Sequence, residues 1–136
     1  MPFVLDTSVA LSWHFEDEVS EYADRVLDKL ADDSAFAPAL WPLEVANGLT
    51  MALRRGRITE ARLVRAIEFS RNLNLTLIDV TLGAAFGPVL DLARAQNLTV
   101  YDASYLHLAM REGLPIASLD DDLIAAAKRV GLPELA

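Results

Sequence analysis

The chain contains no cysteine and only two histidines. This excludes disulfides, a thiol nucleophile and a cysteine-ligated zinc site, and it leaves too little imidazole for an ordinary catalytic zinc centre. No apolar run approaches the roughly 20 residues that span a bilayer. No basic segment precedes the opening MPFVLD, which argues against a secretory leader and for the cytoplasm. Repeats, low-complexity stretches and linkers are missing as well. With 136 residues and 53% hydrophobic composition, the chain reads as one domain, 1–136, long enough to bury a core. Positive charge is also scarce: 12 Lys and Arg stand against 20 Asp and Glu, a formal charge of −8. Such a balance opposes nucleic-acid binding, because phosphate recognition needs a basic face.

The distribution of charge tempers that objection. Residues 16–33 hold eight acids (Glu16, Asp17, Glu18, Glu21, Asp24, Asp28, Asp32 and Asp33) against Arg25 and Lys29. Residues 54–71 hold Arg54, Arg55, Arg57, Arg62, Arg65 and Arg71 against Glu60 and Glu68, and so carry six of the twelve basic residues. Two bound divalent cations would also move the net charge from −8 to about −4.

Hydrophobic periodicity predicts alternating strands and helices. PFVLD is a first strand, followed by a short helix over 7–13 and a second over 18–31. SAFAP is a second strand. Pro42 opens a helix that stops at Gly56, Thr59 opens the next, and residues 42–71 read as a helical hairpin. LTLIDV is a third strand, and Thr81 caps a helix to about Gln96 that Pro88 kinks or restarts. LTVY reads as a fourth, central strand, with Asp102 capping a helix over 103–112. LPIAS is a fifth strand, followed by a helix over 121–130. Short apolar strands separated by helices imply an α/β fold: a parallel five-stranded sheet with helices on both faces. In such sheets ligands bind beyond the carboxyl ends of the strands.

Three acids fall at those ends: Asp6 in VLDTSV, Asp102 in LTVYDASYL and Asp120 in IASLDDDL. Glu44 in LWPLEVANGL lies one turn into an amphipathic helix, between apolar neighbours. A carboxylate placed there is costly unless a cation compensates it, and hard cations such as Mg²⁺ take oxygen ligands. The set reads as a divalent-metal site. It lacks the Lys or His of a triad mechanism and suits metal-assisted hydrolysis. Each acid also has a plain structural role open to it. Asp6, Asp102 and Asp120 can simply cap helices, and Asp121 and Asp122 suit a helix N-terminus through the macrodipole. Asp79 after the third strand is read as a turn or cap residue. Thr7 and Ser8 either position water or phosphate or cap a helix. Ser118 stands two residues before Asp120 on the same strand face, within reach of a site carboxylate. Asn47 shares a helix face with Glu44. His107 lies five residues beyond Asp102, roughly 140° round the helix, and points elsewhere. Trp13 and Trp41 read as core, and His14 as a loop or helix-end residue. Arg54, Arg55, Arg57 and Arg62 are either a solvated face or an RNA-contacting one. A Mg²⁺-dependent phosphatase would want a second Asp two residues after the first, where Ser8 stands.

VLDTSV, LEVANGL, YDASYLHLA and ASLDDDLIAAAKRVG, in this order, resemble the PIN-domain proteins and in particular the VapC-type toxins of bacterial toxin–antitoxin pairs; the likeness runs from Phe3 to about Leu132. The resemblance implies a PIN-like domain and a Mg²⁺- or Mn²⁺-dependent endoribonuclease that hydrolyses RNA phosphodiesters by metal-activated water. It carries the four family acids onto Asp6, Glu44, Asp102 and Asp120, the hydroxyl that follows the first acid onto Thr7 or Ser8, and the Thr/Ser place before the last acid onto Ser118. It further implies a VapB-type antitoxin, a homodimer, and assembly of toxin with antitoxin on operator DNA. His107 departs from the small or apolar residue common at its place, and the strongly acidic second helix is a further departure that leaves fewer basic residues for RNA. A PIN-fold scaffold without activity is the alternative, and the four intact acids argue against it.

Overall fold

The structure, a computed structural model, describes residues 1–135. Four strands, β1 (Phe3–Leu5), β2 (Ala35–Pro38), β3 (Leu75–Ile78) and β4 (Ile116–Ala117), form one sheet in the order β3-β2-β1-β4, with every neighbouring pair parallel. Val4 sets the register, facing Phe36 on one side and Ile116 on the other. Successive strand residues point to opposite faces, and Phe3, Val4 and Leu5 are all fully buried. Both faces of β1 are therefore covered, which explains why this strand is uniformly apolar. The chain steps outward from β1 to β2 to β3 and then returns to place β4 on the other side of β1. The reversal lies between β1 and β4, and the crevice beyond their carboxyl ends is where sheets of this kind take ligands.

The helices are α1 (Thr7–Ser12), α2 (Glu21–Lys29), α3 (Trp41–Arg54), α4 (Glu60–Arg71), α5 (Leu82–Ala84), α6 (Leu90–Gln96), α7 (Val100–Glu112) and α8 (Asp121–Arg129). Their starts follow local chemistry. Ser20, Thr59 and Thr81 each accept a backbone N–H from three residues ahead, at 3.1 Å, satisfying donors that the first helical turn leaves unpaired. The α3–α4 hairpin turns at Gly56, whose φ of +72° favours glycine. α1 packs on α3 at Gly48, where an added Cβ would stand 2.6 Å from Leu11 Cδ1. Pro88 interrupts the segment 82–96, which passes through a wide turn at Ala85–Val89 with Gly87 out of helical geometry. A core of β1, β2 and the inner faces of α1, α2, α3 and α7 holds the molecule together, with Tyr105, Leu106 and Ala109 of α7 fully buried within it.

The sheet has four strands where five were expected. Residues 98–101 form no strand: Asn97 ends α6 in a left-handed conformation (φ 55°), and Thr99 then caps α7, its Oγ1 accepting the Asp102 N–H at 3.1 Å. The apolar run LTVY is misleading because its apolarity is not buried in the way a central strand requires. Val100 is 42% exposed and Tyr101 64%. A cap-forming threonine three residues ahead of Asp102 outweighs the β-propensity of a two- or three-residue run. Asp102 consequently sits in the first turn of α7 rather than capping it.

Candidate active site

Asp6 follows β1 and is 4% exposed. Its backbone N–H extends the ladder to Ala117 O at 3.0 Å, which locks the residue to the end of β4. It occupies the cap position of α1 but makes no capping bond. Instead its Oδ2 accepts two hydroxyl donors, Ser8 Oγ at 2.6 Å and Ser118 Oγ at 2.8 Å. Ser8 Oγ in turn accepts the Leu119 N–H at 2.9 Å, and Ser118 Oγ accepts the Asp120 N–H at 3.0 Å. The two serines thus join the ends of β1 and β4 through one carboxylate oxygen, and the Ser8 backbone adds a further bond to Asp6. Thr7 is buried beside them but is not among the groups bonded to Asp6.

Asp120 caps α8, its Oδ1 accepting the Leu123 N–H at 3.0 Å. Glu44 is in the first turn of α3 and half-buried, and its Oε1 accepts the hydroxyl of Tyr105 at 2.7 Å. For Glu44 and Asp120 one carboxylate oxygen is tied to a protein donor and the other has none among the described residues, an arrangement suited to presenting a lone pair to a cation in a fixed direction.

The electrostatics tie the four acids to one place. Burial pushes the Asp6 carboxyl above its ordinary value; the bonds from Ser8 and Ser118 act against this, and the Asp120 charge adds to it. Burial likewise raises Glu44, opposed by Tyr105 and reinforced by the charges of Asp6 and Asp102. Asp102 rises furthest, to about 6, through burial first, then the charges of Asp6 and Asp120 and, more weakly, Asp122. Burial also raises the Tyr105 phenol, helped by Glu44, which keeps it an O–H donor. Concentrated, partly desolvated negative charge is what a bound cation relieves. The donors are all hard carboxylate oxygens and suit a hydrated hard cation, since Mg²⁺ keeps several waters and needs only one or two carboxylates.

Among the described residues, no hydrogen bond joins the remaining candidates to this cluster. Asn47 is exposed on α3. Arg54 and Arg55 are exposed at the end of α3, ten residues beyond Glu44 and so about 15 Å along the axis. Arg57 donates to Asp17 and Glu18, both at 2.9 Å, with its guanidinium 4.3 Å from the centre of the Phe15 ring. Arg62 donates to Glu16 at 3.0 Å. Two of the four arginines are thus already matched with the acidic turn Glu16–Glu18. Asp79 is exposed after the edge strand β3, close to His107, which is on α7 away from the acids. Trp13 donates its indole N–H to Ala23 O at 2.8 Å, and His14 packs edge-on against Phe69. Trp41 is core, with its indole nitrogen unpartnered. Tyr105 is the site residue that sequence reasoning passes over. Its signal was present, because it stands three residues after Asp102 and hence on the same helical face.

The PIN domain family matches residues 3–129. Ribonuclease VapC3 of Pyrobaculum aerophilum is 31% identical over 127 residues, 90% of this chain and 92% of that protein. Among solved structures, PAE2754 from Pyrobaculum aerophilum superposes with a TM-score of 0.68 at 23% identity, covering 93% of this chain and 87% of that one. VapC20 of Mycobacterium tuberculosis, a sarcin-ricin loop cleaving toxin, superposes with a TM-score of 0.66 at 17% identity, covering 99% and 98%. At those identities the two structures speak for the fold.

Proposed function

Because the chain belongs to the PIN-domain family, among its VapC-type members, we propose that it is a divalent-metal-dependent endoribonuclease and the toxin of a toxin–antitoxin pair. The observation that carries this reading is a buried carboxylate, Asp6, at the end of the central strand, whose charge raises Glu44 and Asp102 and which is itself raised by the charge of Asp120. Asp6, Glu44, Asp102 and Asp120 would hold Mg²⁺ or Mn²⁺, directly or through water. Such an ion lowers the pKa of coordinated water and offsets charge on a phosphoryl oxygen. The chain's own residues do the rest. Ser8 and Ser118 fix Asp6, the cap bond fixes Asp120, and the half-buried setting limits bulk water. Exposed Arg54 and Arg55 contact the RNA backbone, together with Arg57 and Arg62 once they leave the acidic turn. Hydrolysis yields a 5′-phosphate and a 3′-hydroxyl.

The same reading brings a VapB-type antitoxin, a homodimer, assembly with antitoxin on operator DNA and a cytoplasmic setting. Exposed apolar side chains at Leu82, Phe86 and Tyr101 support a protein partner. No described helix is long and apolar enough to cross a membrane. The test is cleavage of total RNA by purified protein with Mn²⁺ or with a chelator, read by sequencing new 5′ ends. Asp6→Asn keeps the shape of the side chain and removes its charge, and is expected to abolish metal-dependent cleavage with the circular dichroism spectrum unchanged. Cleavage surviving in that variant would refute the assignment.

A further inference from the structure

We propose that Tyr105 is a positioning residue of this site: by holding Oε1 of Glu44 it directs the other carboxylate oxygen, Oε2, to the divalent cation. The inference rests on the metal-dependent reading above. Glu44 differs from the other tethered acids in how it reaches the site. Asp6 is short, follows a strand and takes two serine hydroxyls; Asp120 is short and bonded to the backbone of its own helix. Glu44 has a longer side chain with one more rotatable bond, on a helix rather than a strand end, with exposed Leu43 and Ala46 beside it. Left free, it would sample several rotamers and point to solvent in many of them.

Tyr105 removes that freedom. It is fully buried in the core, on a helix packed against β1 and β2, and its hydroxyl makes one hydrogen bond. The acceptor is Glu44 Oε1, at 2.7 Å, across 61 residues of sequence. A rigid donor on a packed ring is a good device for aiming a flexible carboxylate, as a fixed outer partner aims a metal-bound histidine or carboxylate. α7 thereby contributes twice to one site: Asp102 supplies an oxygen, and Tyr105, one turn further on, orients an oxygen supplied by α3.

A purely structural role would also explain the bond, since a buried tyrosine hydroxyl needs an acceptor. The two accounts separate in a double-mutant cycle read by Mn²⁺ binding, followed by electron paramagnetic resonance of free Mn²⁺, with no RNA present. Tyr105→Phe keeps the ring and its packing. It is expected to weaken Mn²⁺ binding about 10–100-fold, the usual cost of removing an outer partner of a ligand, with circular dichroism and the unfolding transition showing a folded protein. In a Glu44→Gln background the same substitution is expected to change Mn²⁺ binding less than about twofold, because the oxygen it aims is no longer a charged ligand. Equal weakening in both backgrounds would overturn the proposal in favour of packing, as would unchanged affinity in Tyr105→Phe. Failure of the wild-type protein to bind Mn²⁺ would overturn the metal-dependent reading itself, and this inference with it.

Discussion

Replacing Asp102 by asparagine should make the metal-free protein more stable at neutral pH, the reverse of what removing a buried hydrogen-bonded group does. Asp102 titrates near 3.8 in the unfolded chain and at about 6 in the folded one. A carboxyl whose folded pKa is raised contributes full stability below about pH 3.8, and that contribution is lost as pH rises through about 6. The groups responsible are the surrounding protein, Asp6 at the end of β1, Asp120 at the cap of α8 and Asp122 in its first turn. The displacement corresponds to about 3 kcal/mol before solvent is considered. Asp102 is only half-buried, and screening leaves on the order of 1–2 kcal/mol. Asparagine also forfeits a charge favourable to the start of α7, about 0.3–1 kcal/mol. The expected net gain at pH 7.5 is therefore about 1 kcal/mol, or roughly 4 °C in Tm. The assay is thermal and urea unfolding with a chelator present at pH 4, 5, 6 and 7.5, for wild type and variant. The gap should open between pH 4 and 7 and close below it. Saturating Mg²⁺ should raise wild-type stability more than that of the variant and narrow or invert the gap. A variant less stable than wild type at pH 7.5 in chelator, or a gap that does not change with pH, would refute the picture of four mutually repelling acids.

Two further outcomes test other parts of the reading. Asp120→Asn retains a side chain that can cap α8, whereas Asp120→Ala removes the cap and should cost about 1 kcal/mol in urea unfolding; both should weaken Mn²⁺ binding alike, and a loss of binding confined to the alanine variant would leave Asp120 with capping alone. Arg54→Ala with Arg55→Ala should weaken RNA binding and reduce the salt slope by roughly 0.7 for each phosphate no longer neutralised, while Arg57→Ala alone should act mainly by releasing the turn Glu16–Glu18, seen as faster hydrogen exchange there; equal salt slopes for wild type and the double variant would remove the hairpin from the RNA interface.

Strands β1, β2, β3 and β4 were legible because each is a short apolar run soon followed by Asp or Pro, and the hairpin of α3 and α4 because its apolar faces repeat at helical spacing and its ends carry Gly56 and Thr59. The false strand at residues 98–101 arose from reading composition without exposure: nothing in LTVY says that Val100 and Tyr101 will face outward. At the site, the acids could be recognised one by one, but their bonds could not. Ser118 was within reach of a carboxylate on strand geometry, whereas its partner proved to be Asp6, 112 residues away. Tyr105 was hidden by its own apolarity, since a tyrosine between Ser104 and Leu106 reads as core and is core, with only its hydroxyl engaged in the site. The pairing of Arg57 and Arg62 with Glu16–Glu18 was invisible for a similar reason: the basic and acidic stretches were each evident, and their meeting is a matter of tertiary structure.

The two serines that share Asp6 Oδ2 also determine when this site can exist. The first 50 residues of the chain contain Asp6, Ser8 and Glu44, but Ser118, the β4 edge that anchors Asp6, and both α7 contributions come from the last third. Closing so long a loop before any native contact rewards it is slow. Residues 1–50 on their own therefore carry half of the acids with nothing to align them, and the pairing of β4 with β1 supplies the missing partners. The same docking that closes the sheet is the event that brings the acids together.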